Sequence, residues 1–172
     1  MANYFQVTAL ALFLAAGGQS AFAAQDNDDF VDAASAKGVA EVEAGKLAQE
    51  KGVAADVKAF AQMMVSDHTA ANEKLKAIAQ QKKLEVSSYP QLMDKAKAMI
   101  LELRSAKSFD QAYANNQVKA HEATIALFED EASNGKDADL KAFASSTLPK
   151  LKAHLAEAKK LAAAHGGDAA NN

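Results

Sequence analysis

Two stretches of this chain carry an apolar residue at steps that alternate between four and three. The first is Val57, Ala61, Met64, His68, Ala71, Leu75 and Ile78; the second is Leu140, Ala144, Thr147, Leu151, His154, Ala158 and Leu161. A stripe of this spacing stays on one face only if the backbone is an α-helix, and at this length it must lie lengthwise against other helices. The rest of the chain agrees. Hydrophobic residues make up 49% of the sequence, yet aromatics are only 6% and tryptophan is absent, so alanine carries much of the apolar content. Alanine favours helix and lets helices approach closely, whereas sheets draw on β-branched and aromatic residues. The expected class is all-α.

Start and stop signals divide the chain. Asp26, Asn27, Asp28 and Asp29 suit a helix N-terminus. A first helix is expected over about 29–50, ending at Gly52, and a second over about 55–83. Ser87-Ser88-Tyr89-Pro90 interrupts the chain before a short helix over about 91–105. Ser108 with Gln111 reads as a capping box for a third long helix over about 109–133, and Asn134-Gly135 as its left-handed C-cap. Asp137 caps a fourth, which runs to Gly166-Gly167 with Pro149 as an internal kink. Gly52 to Ala61 also aligns with Gly135 to Ala144 without a gap, sharing glycine, aspartate and phenylalanine at fixed spacing. Two related helical hairpins follow, and an up-down-up-down four-helix bundle is the expected arrangement, with the short extra helix in the helix 2–3 connection.

The N-terminus points to export. Val7 to Ala16 is an apolar run of signal-peptide length, followed by Ala21-Phe22-Ala23 as a cleavage site, although no Lys or Arg precedes it. The expected organisation is a signal peptide over 1–23, a bundle over 24–165 and a flexible tail over 166–172, with a periplasmic or secreted product and no stable membrane span after cleavage. A net charge of −3, from 19 basic and 22 acidic residues well mixed along the chain, gives no footprint for nucleic acid. The absence of cysteine removes disulfides, thiolate metal ligands, thiol nucleophiles and a lipoprotein anchor. No phosphate loop or nucleophile elbow is present.

Chemistry is concentrated in the histidines. His68 and His154 fall on the two seams, and His121 lies on the stripe Ala114, Val118, His121, Ile125, Phe128. His165, beside Gly166, reads as a helix-end cation. At about 1.5 Å per residue, His68 is about 18 Å from its hairpin turn, and His121 and His154 are about 21 and 22 Å from theirs. Glu41 and Glu43 lie at about 16 and 14 Å on the same ruler. Three imidazoles and a first-helix carboxylate in one layer are what a bundle uses to hold a transition-metal ion, here zinc, copper or iron. The expected ligands are His68, His121, His154 and Glu41, with Glu43, Asp67, Glu122 and Glu157 as alternates and Asn72 close by. A lone histidine on an apolar seam is more often a hydrogen-bonded core residue, so a metal-free core remains the competing reading.

Several segments resemble the DUF4142 family: Glu41-Val-Glu-Ala-Gly-Lys-Leu-Ala48, Phe60-Ala-Gln-Met-Met-Val-Ser-Asp-His68 and Phe109-Asp-Gln-Ala-Tyr113, continued by His121, Leu127-Phe128-Glu129 and His154. The resemblance spans about residues 28–162. It implies an exported bacterial protein grouped with ferritin-like bundles, and it adds Asp110 and Tyr113 to the positions of interest. The chain departs from the di-iron pattern, which needs two Glu-x-x-His pairs; Val65, Val118 and Leu151 stand three before the histidines. A two-iron oxidase is disfavoured, and no catalytic residue is assigned. Three functions follow from these residues: a metal-binding protein in stress protection, an envelope-stress or interaction module without metal, and an enzyme using a histidine as general base.

Overall fold

The computed structural model describes residues 27–167, so the expected leader over 1–23 and tail residues 168–172 lie outside the described residues. Every regular element among the described residues is a helix: α1 (Asn27–Lys51), α2 (Ala55–Lys82), α3 (Leu92–Glu102), α4 (Ala106–Asn134) and α5 (Ala138–Ala164). None is long and apolar enough to cross a membrane. The expected boundaries hold to within about three residues. The seams hold as well, since Val57, Ala61, Met64, Leu75, Leu140, Ala144, Leu151, Ala158 and Leu161 are all buried.

Helices α1 and α2 pack as one hairpin and α4 and α5 as another, and the hairpins meet through α1 against α4 and α2 against α5. The expected up-down-up-down order is not what the chain adopts. Asp110, at the start of α4, accepts hydrogen bonds from the backbone of Val53 (3.1 Å) and Ala54 (2.9 Å) in the α1–α2 turn. At the other end, Lys82 of α2 meets Asp137 in the α4–α5 turn at 2.6 Å. The two turns therefore lie at opposite ends of the bundle, and the order is up-down-down-up. The segment between α2 and α4 has to travel the length of the molecule, and α3 packs against α1 and α4 along that path. Hairpin signals in a sequence fix local reversals; the direction of the second hairpin depends on this longer connection.

Of three helix-end expectations, one holds and two do not. Asp137 does cap α5, its Oδ1 accepting from Asp139 (3.0 Å) and Leu140 (3.1 Å). The Ser108–Gln111 capping box does not form, because α4 begins earlier, after Ser105, and the Gln111 amide instead donates to the Gly166 carbonyl. Gly135 is extended and not left-handed, with φ −53° and ψ 147°. What makes glycine fitting there is proximity: a Cβ would lie 2.5 Å from the Glu131 carbonyl oxygen.

The interior divides into two hydrophobic clusters. Phe60, Met64, Phe109, Tyr113, Val118 and Leu161 gather near the α1–α2 turn. Phe30, Leu75, Phe128, Leu140, Phe143 and Leu151 gather near the α4–α5 turn. Between them lies a polar layer. On α1, Gly38 and Gly45 face α2, where Cβ atoms would overlap the Asn72 amide and press on Val65 and the Ala61 carbonyl. Glycine inside a helix costs about 1 kcal/mol relative to alanine. Here it permits the close approach that brings Asn72 against the α1 backbone.

Candidate metal centre

His68, His121 and His154 come from α2, α4 and α5, and each stands near the middle of its helix. The three ring centroids are 5.5 Å apart in every pairing. One ligating nitrogen from each lies within 4.8 Å of the others, and all three side chains are buried. The reversed topology leaves this layer intact, because a residue at mid-helix has nearly the same height measured from either end.

The hydrogen bonds fix how two rings present themselves. His121 Nδ1 lies 2.9 Å from the Gln117 carbonyl oxygen, which can only accept, so Nδ1 carries the proton. His154 Nε2 lies 3.0 Å from Asp67 Oδ2, so in the neutral ring Nε2 carries it. The opposite nitrogens, His121 Nε2 and His154 Nδ1, are buried without a partner, as is His68 Nε2. Asp67 is held in turn by Lys150 at 2.8 Å. Burial works to raise the Asp67 carboxyl, but the hydrogen bonds from Lys150 and His154 outweigh it and hold the group below its usual range.

Burial disfavours the charged form of His68 and His154. His68 is pushed down to about 3, chiefly by desolvation and then by the charges that His121 and His154 would carry. His154 is lowered by burial as well, with Asp67 opposing. Neutral imidazoles with inward lone pairs are the form that binds a metal, and a carboxylate or carbonyl on the far ring nitrogen is the usual support for such a ligand.

Glu41 is buried on α1 with its Oε2 unpartnered. Burial raises its carboxyl, while the charge of His121 and a hydrogen bond from Gln117 act in the other direction. It is not one of the three groups whose ligating atoms converge. Burial separates it from Glu43, which is exposed. Glu122 and Glu157 are also exposed and pair with Lys159 (3.2 Å) and Lys160 (3.0 Å), so these two alternates and Glu43 face outward. Asp67 supports His154 and is half-buried.

Asp110 binds the α1–α2 turn, and Tyr113 stacks on Phe109 with centroids 6.1 Å apart, its hydroxyl buried without a partner. His165, expected only as a helix-end cation, lies 3.0 Å from Asp56 Oδ2. Gln117 was not among the expected residues. It sits one turn before His121, so its backbone carbonyl is the ordinary partner for a ring at the next turn.

The sequence has no match among curated proteins and none among solved structures. It does match a family described as a domain of unknown function, DUF4142, over residues 13–161. That span takes in all three histidines, Glu41, Asp67, Asp110 and Tyr113, and the chain belongs to the DUF4142 family.

Proposed function

We propose that this protein is an exported, ferritin-like helical bundle that holds one transition-metal ion on His68, His121 and His154, with a role in stress protection. The observation that carries the reading is the convergence of three buried, unpartnered ring nitrogens. Each such group costs about 1–3 kcal/mol to bury unsatisfied, a large share of a domain's 5–15 kcal/mol of stability. His121 and His154 both turn an acceptor inward. A proton on His68 Nε2 satisfies one of them and leaves the other bare, whereas a cation satisfies all three at once.

The donor set fits such an ion. Imidazole suits zinc, copper and iron, and three histidines are the protein ligands of a site that keeps a further position open. Tetrahedral bonds of about 2.0–2.1 Å place ligand nitrogens roughly 3.4 Å apart, so the side chains need to draw in slightly from their present spacing. When bound, the ion supplies Lewis acidity, and redox chemistry if it is copper or iron. The protein's part is to hold the rings: Gln117 and Asp67 set their tautomers, and Lys150 anchors Asp67. The single long crossover supports the ferritin-like label, since that connection distinguishes such folds from simple up-down bundles. Export rests on the apolar run and A-x-A site at the N-terminus.

The test is metal content by mass spectrometry on untagged protein beginning at Ala24, alongside His68→Ala, His121→Ala and His154→Ala. One ion per chain, lost in each variant, is the expected result. Protein that stays empty after incubation with zinc, copper and iron would overturn the reading and favour a metal-free interaction module.

A further inference from the structure

On the side of the histidine layer facing the α1–α2 turn, an open groove between α2 and α5 reaches His154, but the interior behind it is filled. Met64, one turn from His68, and Ala158, one turn from His154, are wholly buried, and Val118 fills the same level on α4. The other side is different. A cavity of ≈ 30 Å³ lies there, lined by Ala34, Glu41, His68, Asn72, Thr124 and His154 among others. About 10–15 Å³ on this measure holds one water molecule, so there is room for a ligand of two or three heavy atoms. The wall is mainly apolar, with Leu75, Phe128, Phe143 and Leu151 from the second hydrophobic cluster. Besides the unpartnered ring nitrogens of His68 and His154, the wall holds one further unsatisfied polar atom: Glu41 Oε2, in a residue only 5% exposed. Thr124, by contrast, already donates to the Ala120 carbonyl at 2.8 Å.

Resting on the metal reading above, we propose that this cavity is the open coordination position of the site, and that it admits one small exogenous donor molecule. Glu41 faces that molecule across the cavity, accepting a hydrogen bond from a protic occupant such as water or peroxide and, as the carboxylic acid, donating one to an anion such as azide; it does not ligate the ion. Three features support this assignment. The ligating nitrogens converge without Glu41, an internal cavity adjoins both His68 and His154, and Glu41, which lines that cavity, has an unpartnered Oε2. A closed structural site would have four protein ligands and no adjoining void. The apolar wall and small volume restrict the occupant to molecules of the size of water, peroxide or azide.

The experiment uses the mature protein loaded with cobalt(II), whose visible spectrum reports its coordination, and titrates it with azide. The expected result is a saturable spectral change in the unaltered protein. Ala34→Leu, which places side-chain atoms in the cavity, should keep one cobalt per chain and respond at least tenfold more weakly. Glu41→Gln should also keep its cobalt and change only the azide affinity. Ala34→Val serves if circular dichroism shows that the leucine variant is unfolded. Cobalt bound at full stoichiometry with no azide response, or with the same response in the cavity-filling variant, would overturn the open position while leaving the metal reading intact. Loss of cobalt in Glu41→Gln would make Glu41 a ligand and overturn its assignment. Failure of the unaltered protein to bind cobalt at all would remove both.

Discussion

His68 is surrounded by groups that oppose its protonation. His121 and His154 flank it, and the Asp67 carboxylate, which favours the charged form, is already engaged by Lys150 and His154. In the metal-free protein its value of about 3 lies well below the ordinary 6.5. Between those limits the unfolded chain takes up a proton that the native state refuses. Stability is therefore unaffected above about pH 6.5 and falls as the pH drops toward 3, by about 1.4 kcal/mol per unit where the slope is steepest. His154 acts in the same direction, and Glu41, raised by burial, acts against it. Urea unfolding at pH 7.5, 6 and 5 should show the decline, and His68→Asn should flatten it. Equal slopes in the two proteins would show that His68 is not the group responsible. The histidines were legible in the sequence because each replaces an apolar residue in a regular seam. Glu41 could not be told from Glu43 until burial separated them. The Gln117 carbonyl left no trace, because backbone acceptors are not written in side-chain patterns.

At the level of the helices, the second one starts without a side-chain cap of its own: Ala54 occupies the N-cap position. Asp110 of α4 instead accepts from the backbone N–H groups of Val53 and Ala54, just before the helix, and so holds the turn that leads into it. Hydrogen bonds to a charged acceptor contribute about 1.5–3 kcal/mol, and removing a buried acceptor strands its donors. Asp110→Ala should therefore lower unfolding stability by about 1–3 kcal/mol in urea while the metal content stays at the level of the unaltered protein. Loss of metal with no loss of stability would place Asp110 in the site instead. Turn contacts between residues distant in sequence are invisible to a local reading, whereas the Ser108–Gln111 box was a local expectation that fails because α4 begins after Ser105. The glycines inside α1 were a signal available but unread: Gly38 and Gly45 stand seven residues apart and mark the face toward α2. Without large apolar residues on that stripe, the first helix shows little of the periodicity that identifies the second and fifth.

For the molecule as a whole, the histidine layer draws one ligand from the first hairpin and two from the second. An ion held there as proposed would tie the hairpins together and, by binding the folded chain alone, would stabilise it by mass action. At a free concentration one hundred times its Kd the gain is about 2.7 kcal/mol. For a chain of this size that should raise the melting temperature by about 5–11 °C. Thermal melts with and without saturating metal should show the rise in the unaltered protein and none in His154→Ala; an equal rise in both would place the ion elsewhere. The all-α class, the four long helices and the pairing within each hairpin were all legible from seams and turn residues. The direction of the second hairpin was not, since it depends on how the segment from Lys83 to Ser105 crosses the molecule, and that segment carries few contacts that a sequence pattern records.

The placement of the histidines at mid-span has a consequence for how such proteins can diverge. A site built at one end of a bundle is committed to its loops: reversing a hairpin carries its ligands to the far end. With the imidazoles at the waist, a hairpin turned end for end still delivers its side chains to the same level. Connections can then lengthen, shorten or be rewired, and the four rods can be joined in a different order, without dismantling the layer where they meet.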